Sequence, residues 1–154
     1  MEWAILPFRR FAEFTGRSRR KEYWMFVLLI LVAAAILYAV ERSLGMPGWV
    51  GPYGPLLLLL ELVIVVPSVA VGIRRLHDTD RSGWWLLIGY GPGLVSTLLP
   101  LLGIVDLNLM MILSAVALAG FVVLIVFMLL DGTKGPNRYG PDPKGGEGPA
   151  ATTV

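Results

Sequence analysis

From Trp84 to Leu130 the chain runs for 47 residues with a single charged group, Asp106, and Asn108 close behind it. One membrane-crossing helix needs about 20 apolar residues, so this run is too long for one and suits two. The polar pair is the natural place to divide it, giving spans at Trp84 to Val105 and Leu109 to Leu130 with a short hairpin between. Two further apolar runs, Tyr23 to Val40 and Leu56 to Ile73, the second containing Glu61 and Pro67, each hold 18 residues. At 1.5 Å per residue such a run covers about 27 Å, close to the hydrocarbon thickness of a bilayer. The fold class that follows is all-α: an integral membrane protein with four transmembrane helices in a small bundle. The third span carries Gly89, Gly91, Pro92, Gly93 and Pro100, which predict a kinked helix whose freed backbone groups neighbouring helices must cover. Gly89 with Gly93, Ser68 with Gly72 and Ala115 with Ala119 are small residues four apart that allow close helix contacts.

Composition agrees with the pattern. Apolar residues make up 56% of the chain and the mean hydropathy is +0.71, against about 45 to 50% apolar residues in soluble domains. There is no cysteine and one histidine, which removes disulfides, thiolate chemistry and a structural zinc site from consideration. No metal or cofactor is expected, and a formal charge of +2 gives no ground for a nucleic-acid partner.

Three regions follow: an N-terminal interfacial segment over residues 1–22, a transmembrane domain over 23–130, and a Gly/Pro-rich tail over 131–154. In the first, Trp3, Ile5, Leu6, Phe8, Phe11 and Phe14 alternate with Arg9, Arg10 and Glu13 near helical spacing, with Pro7 limiting its regularity. A signal-peptide reading fails because the apolar run continues past Ala33, Ala34 and Ala35 to Val40. Residues 43–55, rich in Gly and Pro, form a loop that rests Trp49 and Tyr53 on the opposite interface. The prolines and glycines of Asp131 to Pro143 predict successive turns, and the residues beyond them are expected to be disordered.

Lysine and arginine are distributed very unevenly. Six precede the first span, one (Arg42) follows it, three lie between the second and third, none between the third and fourth, and three follow the fourth. Twelve therefore share one side, which the positive-inside rule makes cytoplasmic together with both termini. A three-span alternative would place the tail and its basic residues outside.

The polar residues gather into three motifs on that side: F-T-G-R-S-R-R-K-E-Y-W (Phe14 to Trp24), R-R-L-H-D-T-D-R-S-G-W-W (Arg74 to Trp85) and G-P-N-R-Y-G-P-D-P (Gly135 to Pro143). In order and wording, over roughly residues 10–144, they resemble the bacterial inner-membrane family catalogued as domain of unknown function 805. The resemblance implies a small multi-span protein of the bacterial inner (cytoplasmic) membrane, and brings no established activity. Many members are similar to one another in having a shorter apolar stretch before the tail motif, whereas 46 residues separate Trp85 from Gly132 here. The fourth helix is therefore read from this sequence alone.

The motif residues support several readings. As structure, the arginines Arg17, Arg19, Arg20, Arg74, Arg75 and Arg81 would pair with Glu22, Asp78, Asp80 or Asp142, with Asn137 and Arg138 joining from the tail, to clasp the termini against the central loop. As a binding face, the same basic residues would attract anionic lipid or a membrane-protein partner, a second copy included. As an enzyme, His77 with Asp78 and Asp80 would supply a base oriented by a carboxylate, or the two carboxylates would hold Mg²⁺ beside arginines that grip a phosphate, in either case acting on a lipid headgroup. Glu61, inside the second span, is costly in hydrocarbon and is expected to pair, to protonate or to face a wet cavity. Arg42, Tyr90 and Asn108 are its candidate partners, and a small channel or transport component is the corresponding function.

Overall fold

A computed structural model of the chain describes residues 2–48 and 53–145. Five α-helices follow one another: α1 (Glu2–Arg9), α2 (Arg20–Ser43), α3 (Pro55–Asp78), α4 (Leu86–Leu98) and α5 (Leu107–Leu129). Two 3₁₀ turns, Gly83–Trp85 and Leu99–Leu102, flank α4. Four helical stretches are long and apolar enough to cross a membrane: Arg20–Ser43, Pro55–Asp78, Gly83–Leu102 and Leu107–Leu129. No β-strand occurs among the described residues. Trp49, and the tail residues expected to be disordered from 146 on, lie outside them.

The chain divides into two compact units, Met1–Phe14 with Lys21–Val71, and Thr15–Arg20 with Gly72–Val154. In the first, α1 packs on α2 through an edge-to-face contact of Phe8 with Phe26 (centroids 5.3 Å apart), and Lys21 sits over the Trp3 ring. Pro7 lies buried inside α1, which ends two residues later at Arg9. The connection from α2 to α3 is organised by Glu41. Pro55 opens α3 without a Ser, Thr, Asp or Asn before it, so the exposed N–H groups of the first turn need another acceptor. The buried Glu41 carboxylate supplies it, accepting from Gly54 (3.2 Å), Leu56 (2.6 Å) and Leu57 (3.0 Å).

In the second unit α4 and α5 pack closely because glycines let the backbones approach. A Cβ added at Gly120 would lie 2.6 Å from the Ile88 carbonyl carbon, and one at Gly89 only 2.5 Å from Leu124 Cδ1. Gly93 is looser, with 4.0 Å to Ala117 Cβ. In the third span α4 runs on through Pro92, and at Leu99 the helix tightens to a 3₁₀ turn that includes Pro100. Gly103, in the left-handed region at φ 75°, ends that turn, and Asp106 then caps α5 by accepting from the N–H groups of Asn108 and Leu109.

One boundary differs from the sequence reading. Arg74 to Asp78, expected in a loop after a span ending at Ile73, continue α3 for more than another turn. At 1.5 Å per residue α3 is about 36 Å long, more than the 30 Å hydrocarbon layer, so its end projects beyond it. Charge density thus marks where hydrocarbon stops, not where the helix does. The helix closes at Thr79 and at Asp80, whose φ is 57°.

Candidate functional site

Among the described residues the two largest fully buried side chains are not apolar: they are Arg74 and Arg75, each 0% exposed. Both lie on the projecting end of α3, and Arg75 belongs to a cluster that joins all three motifs inside the second unit. Its centre is the carboxylate of Asp78. Oδ1 accepts from Arg17 Nε at 3.0 Å, and Oδ2 accepts from Arg75 Nη1. Two buried guanidinium groups thus share one buried carboxylate.

The remaining donors explain how that imbalance is tolerated. Arg17 reaches into the tail turn, donating to the carbonyl oxygens of Thr133 (2.5 Å), Gly135 (2.6 Å) and Gly140 (3.4 Å). Arg75 donates to the carbonyls of Met128 and Leu130, and Arg20 to that of Leu129 (3.0 Å). These are the orphan acceptors at the C-terminus of α5, where the helix dipole is equivalent to about half a negative charge. The end of α5 therefore supplies part of the negative charge that a second carboxylate would otherwise provide.

Backbone contacts complete the clasp. Ser18 N–H donates to the Arg74 carbonyl at 3.0 Å, and Thr133 N–H donates to that of Asp78 at 2.8 Å. Asn137 Nδ2 donates to the carbonyl of His77 (2.9 Å) and to Thr133 Oγ1 (3.0 Å), while Asn137 and Gly140 exchange backbone hydrogen bonds. Gly132 lies directly against Asp78, where a Cβ would come within 2.6 Å of the carboxylate carbon. Residues near 17, 78 and 133–140 therefore occupy one place. The N-terminal, central and tail motifs consequently share one membrane face.

Other candidate residues surround this centre. Arg19 Nε donates to the Pro143 carbonyl at 2.6 Å. Asp80 pairs with Arg138 at 3.1 Å, both side chains largely exposed. Arg81 donates to the Thr79 carbonyl and lies over the Phe127 ring, 4.2 Å from its centroid. Asp142 accepts the backbone N–H groups of Gly135 and Lys144, both at 2.9 Å, in place of the arginine expected for it. Those N–H groups, Lys144 first, hold its carboxyl below the ordinary value of 3.8, and the charges of Arg17 and Lys144 add to the effect. Glu22 is buried on α2 and belongs to the first unit. So does Glu61, which is exposed on α3.

His77 and Asp78 do not form a dyad. Adjacent residues on a helix point about 100° apart, and Asp78 faces the arginines. The His77 ring places Nδ1 3.1 Å from the Gly16 carbonyl, which fixes Nδ1 as the donor, and stacks on Tyr139 with centroids 3.8 Å apart and an interplanar angle of 5°. Among the described residues no three His, Asp or Glu side chains are grouped so as to hold a metal ion. The sequence reading missed the Gly132 contact and the Tyr139 stack. It had the tyrosine within a motif, but nothing in the spacing shows which ring it meets.

The profile of a family described as "Protein of unknown function (DUF805)" matches residues 11–141. Inner membrane protein YhaI of Escherichia coli (strain K12) is 38% identical over 146 residues, covering 95% of this chain and 98% of the relative. Inner membrane protein YhaH of the same strain is 36% identical over 146 residues, covering 94% and 98%. The uncharacterized protein YiiR is more distant, 26% identical over 138 residues with 84% of each covered. No solved structure matches the chain.

Proposed function

The chain belongs to the DUF805 family and is an inner-membrane protein, and from that premise we propose that it is an interaction module whose clasped face, turned to the cytoplasm, binds anionic lipid headgroups. The observation that carries this reading is the division of labour among its basic residues. Segments 15–20, 72–85 and 130–145 contain nine Lys and Arg against four Asp. Within them Arg17 and Arg75 are buried and committed to Asp78 and to carbonyl oxygens. Arg20, Lys134, Arg138 and Lys144 are exposed at the rim. The interior arginines build the face; at the rim Arg20 and Lys144 stand beside Asp131 and Arg138 pairs with Asp80, and the four cations outnumber these two carboxylates.

Twelve of thirteen Lys and Arg flank the spans on this side, which supports a cytoplasmic placing of both termini. There each basic residue not offset by an aspartate contributes about 1 kcal/mol of attraction to an anionic leaflet. The proposal is tested by purifying the protein into nanodiscs of mixed phosphatidylglycerol and phosphatidylcholine and measuring the lipid that stays bound on dilution into detergent. Enrichment of the anionic lipid, weakened by salt and by Arg20→Gln/Lys134→Gln/Lys144→Gln, is expected. Equal retention of both lipids by the unmodified protein would refute it.

A further inference from the structure

α3 carries a polar residue, Glu61, that has no partner among the described residues. Glu61 lies six residues after Pro55, the start of the helix, which places it about 9 Å along the axis. The apolar stretch from Leu56 to Ile73 holds 18 residues and covers about 27 Å, so the bilayer leaves little slack to slide this position into the headgroups. Glu61 is exposed and has no hydrogen bond or ion pair among the described residues. A carboxyl group so placed in hydrocarbon calls for a partner.

The residues beside it have the form of a helix-packing seam. Leu58, Leu62, Val65 and Val69 follow one another at intervals of four, three and four, the spacing by which one helix packs along another. Leu62, Val65 and Val69 are 73%, 51% and 41% exposed. Glu61 stands next to Leu62, at the flanking position from which charged side chains reach across such seams.

The chain also contains a residue of the required sign at the required level. Arg42 is the one basic residue in the sequence between the first and second spans. Its neighbour Glu41 bonds the Leu57 N–H at 3.0 Å, so the end of α2 stands level with the first turn of α3. Glu61 is about one turn deeper, and its side chain leans toward the helix N-terminus. A guanidinium coming from that level can therefore meet it. Within one chain Arg42 is exposed and lies over the Tyr38 ring, 5.0 Å from its centroid.

We infer that two copies of this chain associate along the Leu58–Leu62–Val65–Val69 face of α3, with Glu61 of each held by Arg42 of the other. A two-fold arrangement forms this pair twice and satisfies both carboxyl groups without a further component.

The absence of cysteine allows a direct test in native membranes. Single Leu62→Cys and Val65→Cys variants are treated with a short bis-maleimide, with Ile112→Cys, 60% exposed on α5, as the control for random collision. Dimer formation at both α3 positions well above the control is expected. Glu61→Leu, which is benign to insertion, and Arg42→Gln should each lower it severalfold, and the exchange Glu61→Arg/Arg42→Glu should restore it. Three results would overturn the inference: α3 crosslinking no greater than at Ile112, crosslinking only to a different protein, or dimers indifferent to Glu61→Leu and Arg42→Gln.

Discussion

Gly132→Ala should disable the clasp although it adds a single methyl group. The new Cβ would stand 2.6 Å from Asp78 Cγ and 2.7 Å from Oδ1, whereas ordinary contact begins at 3.4 Å, so the carboxylate must retreat by at least 0.8 Å. It has nowhere to go, because Arg17 and Arg75 grip it from both oxygens and Thr133 N–H fixes the Asp78 backbone. A 0.8 Å shift takes the 3.0 Å bond from Arg17 out of hydrogen-bonding range. Losing that charged bond and overpacking the site together cost about 2 to 4 kcal/mol. Asp78→Ala, which leaves two guanidinium groups buried without their anion, should cost about 3 to 5 kcal/mol. The decisive measurement is the double-mutant cycle in detergent, followed by tryptophan fluorescence during denaturant unfolding and by trypsin cleavage at Lys134. If the methyl group acts through Asp78, Gly132→Ala should add little in the Asp78→Ala background, so that the coupling approaches its full cost of about 2 to 4 kcal/mol. Additive effects would show that the contact is not what makes this position intolerant.

Three further outcomes are expected. Arg75→Lys keeps the charge but loses the fork that joins Asp78 to the Met128 and Leu130 carbonyls, and should destabilise by about 2 kcal/mol or more in the same unfolding assay. Glu41→Ala strips the first turn of α3 of its acceptor and should cost about 2 kcal/mol, seen as faster hydrogen exchange at Leu56 and Leu57 with the clasp unaffected. Asp142 gives the tail turn an acid limit: its carboxyl is held below 3.8, so its contribution is complete above that value and lost as pH falls through the lower folded-state value. A nitroxide at Lys134→Cys should show a narrowing spectrum over that window, and Asp142→Asn should be narrow at every pH.

The spans were readable because hydrocarbon thickness imposes a length that any sequence must meet, and Asp106 divides the long run where the turn before α5 indeed falls. The interior of the clasp was not. Sequence identified the arginines and carboxylates but could not choose Asp78 as their common centre, because that depends on where residue 78 points once α3 has continued past Ile73. The acceptors that satisfy Arg17, Arg75 and Arg20 are backbone carbonyls, which every residue possesses and no motif advertises. Glu41 did leave a trace. A carboxylate near the C-terminus of α2 opposes that helix's own dipole, and the uncapped start of α3 at Pro55 shows what it is for.

The clasp also bears on how the protein is made. Its contacts join Arg17, near the first span, to Asp78, after the second, and to Thr133, Gly135 and Gly140, after the fourth. While the first two spans enter the membrane, Arg17 and Arg75 have Asp78 but none of the carbonyl oxygens of α5 or the tail. Those partners arrive only when α5 has been inserted with its end on the same side. An insertion product with the wrong number of crossings carries the tail away from these arginines and leaves their donors open. Closure of the clasp thus requires α5 to end on the same side as Arg17 and Asp78, so that a segment made after the fourth span holds the topology of the first.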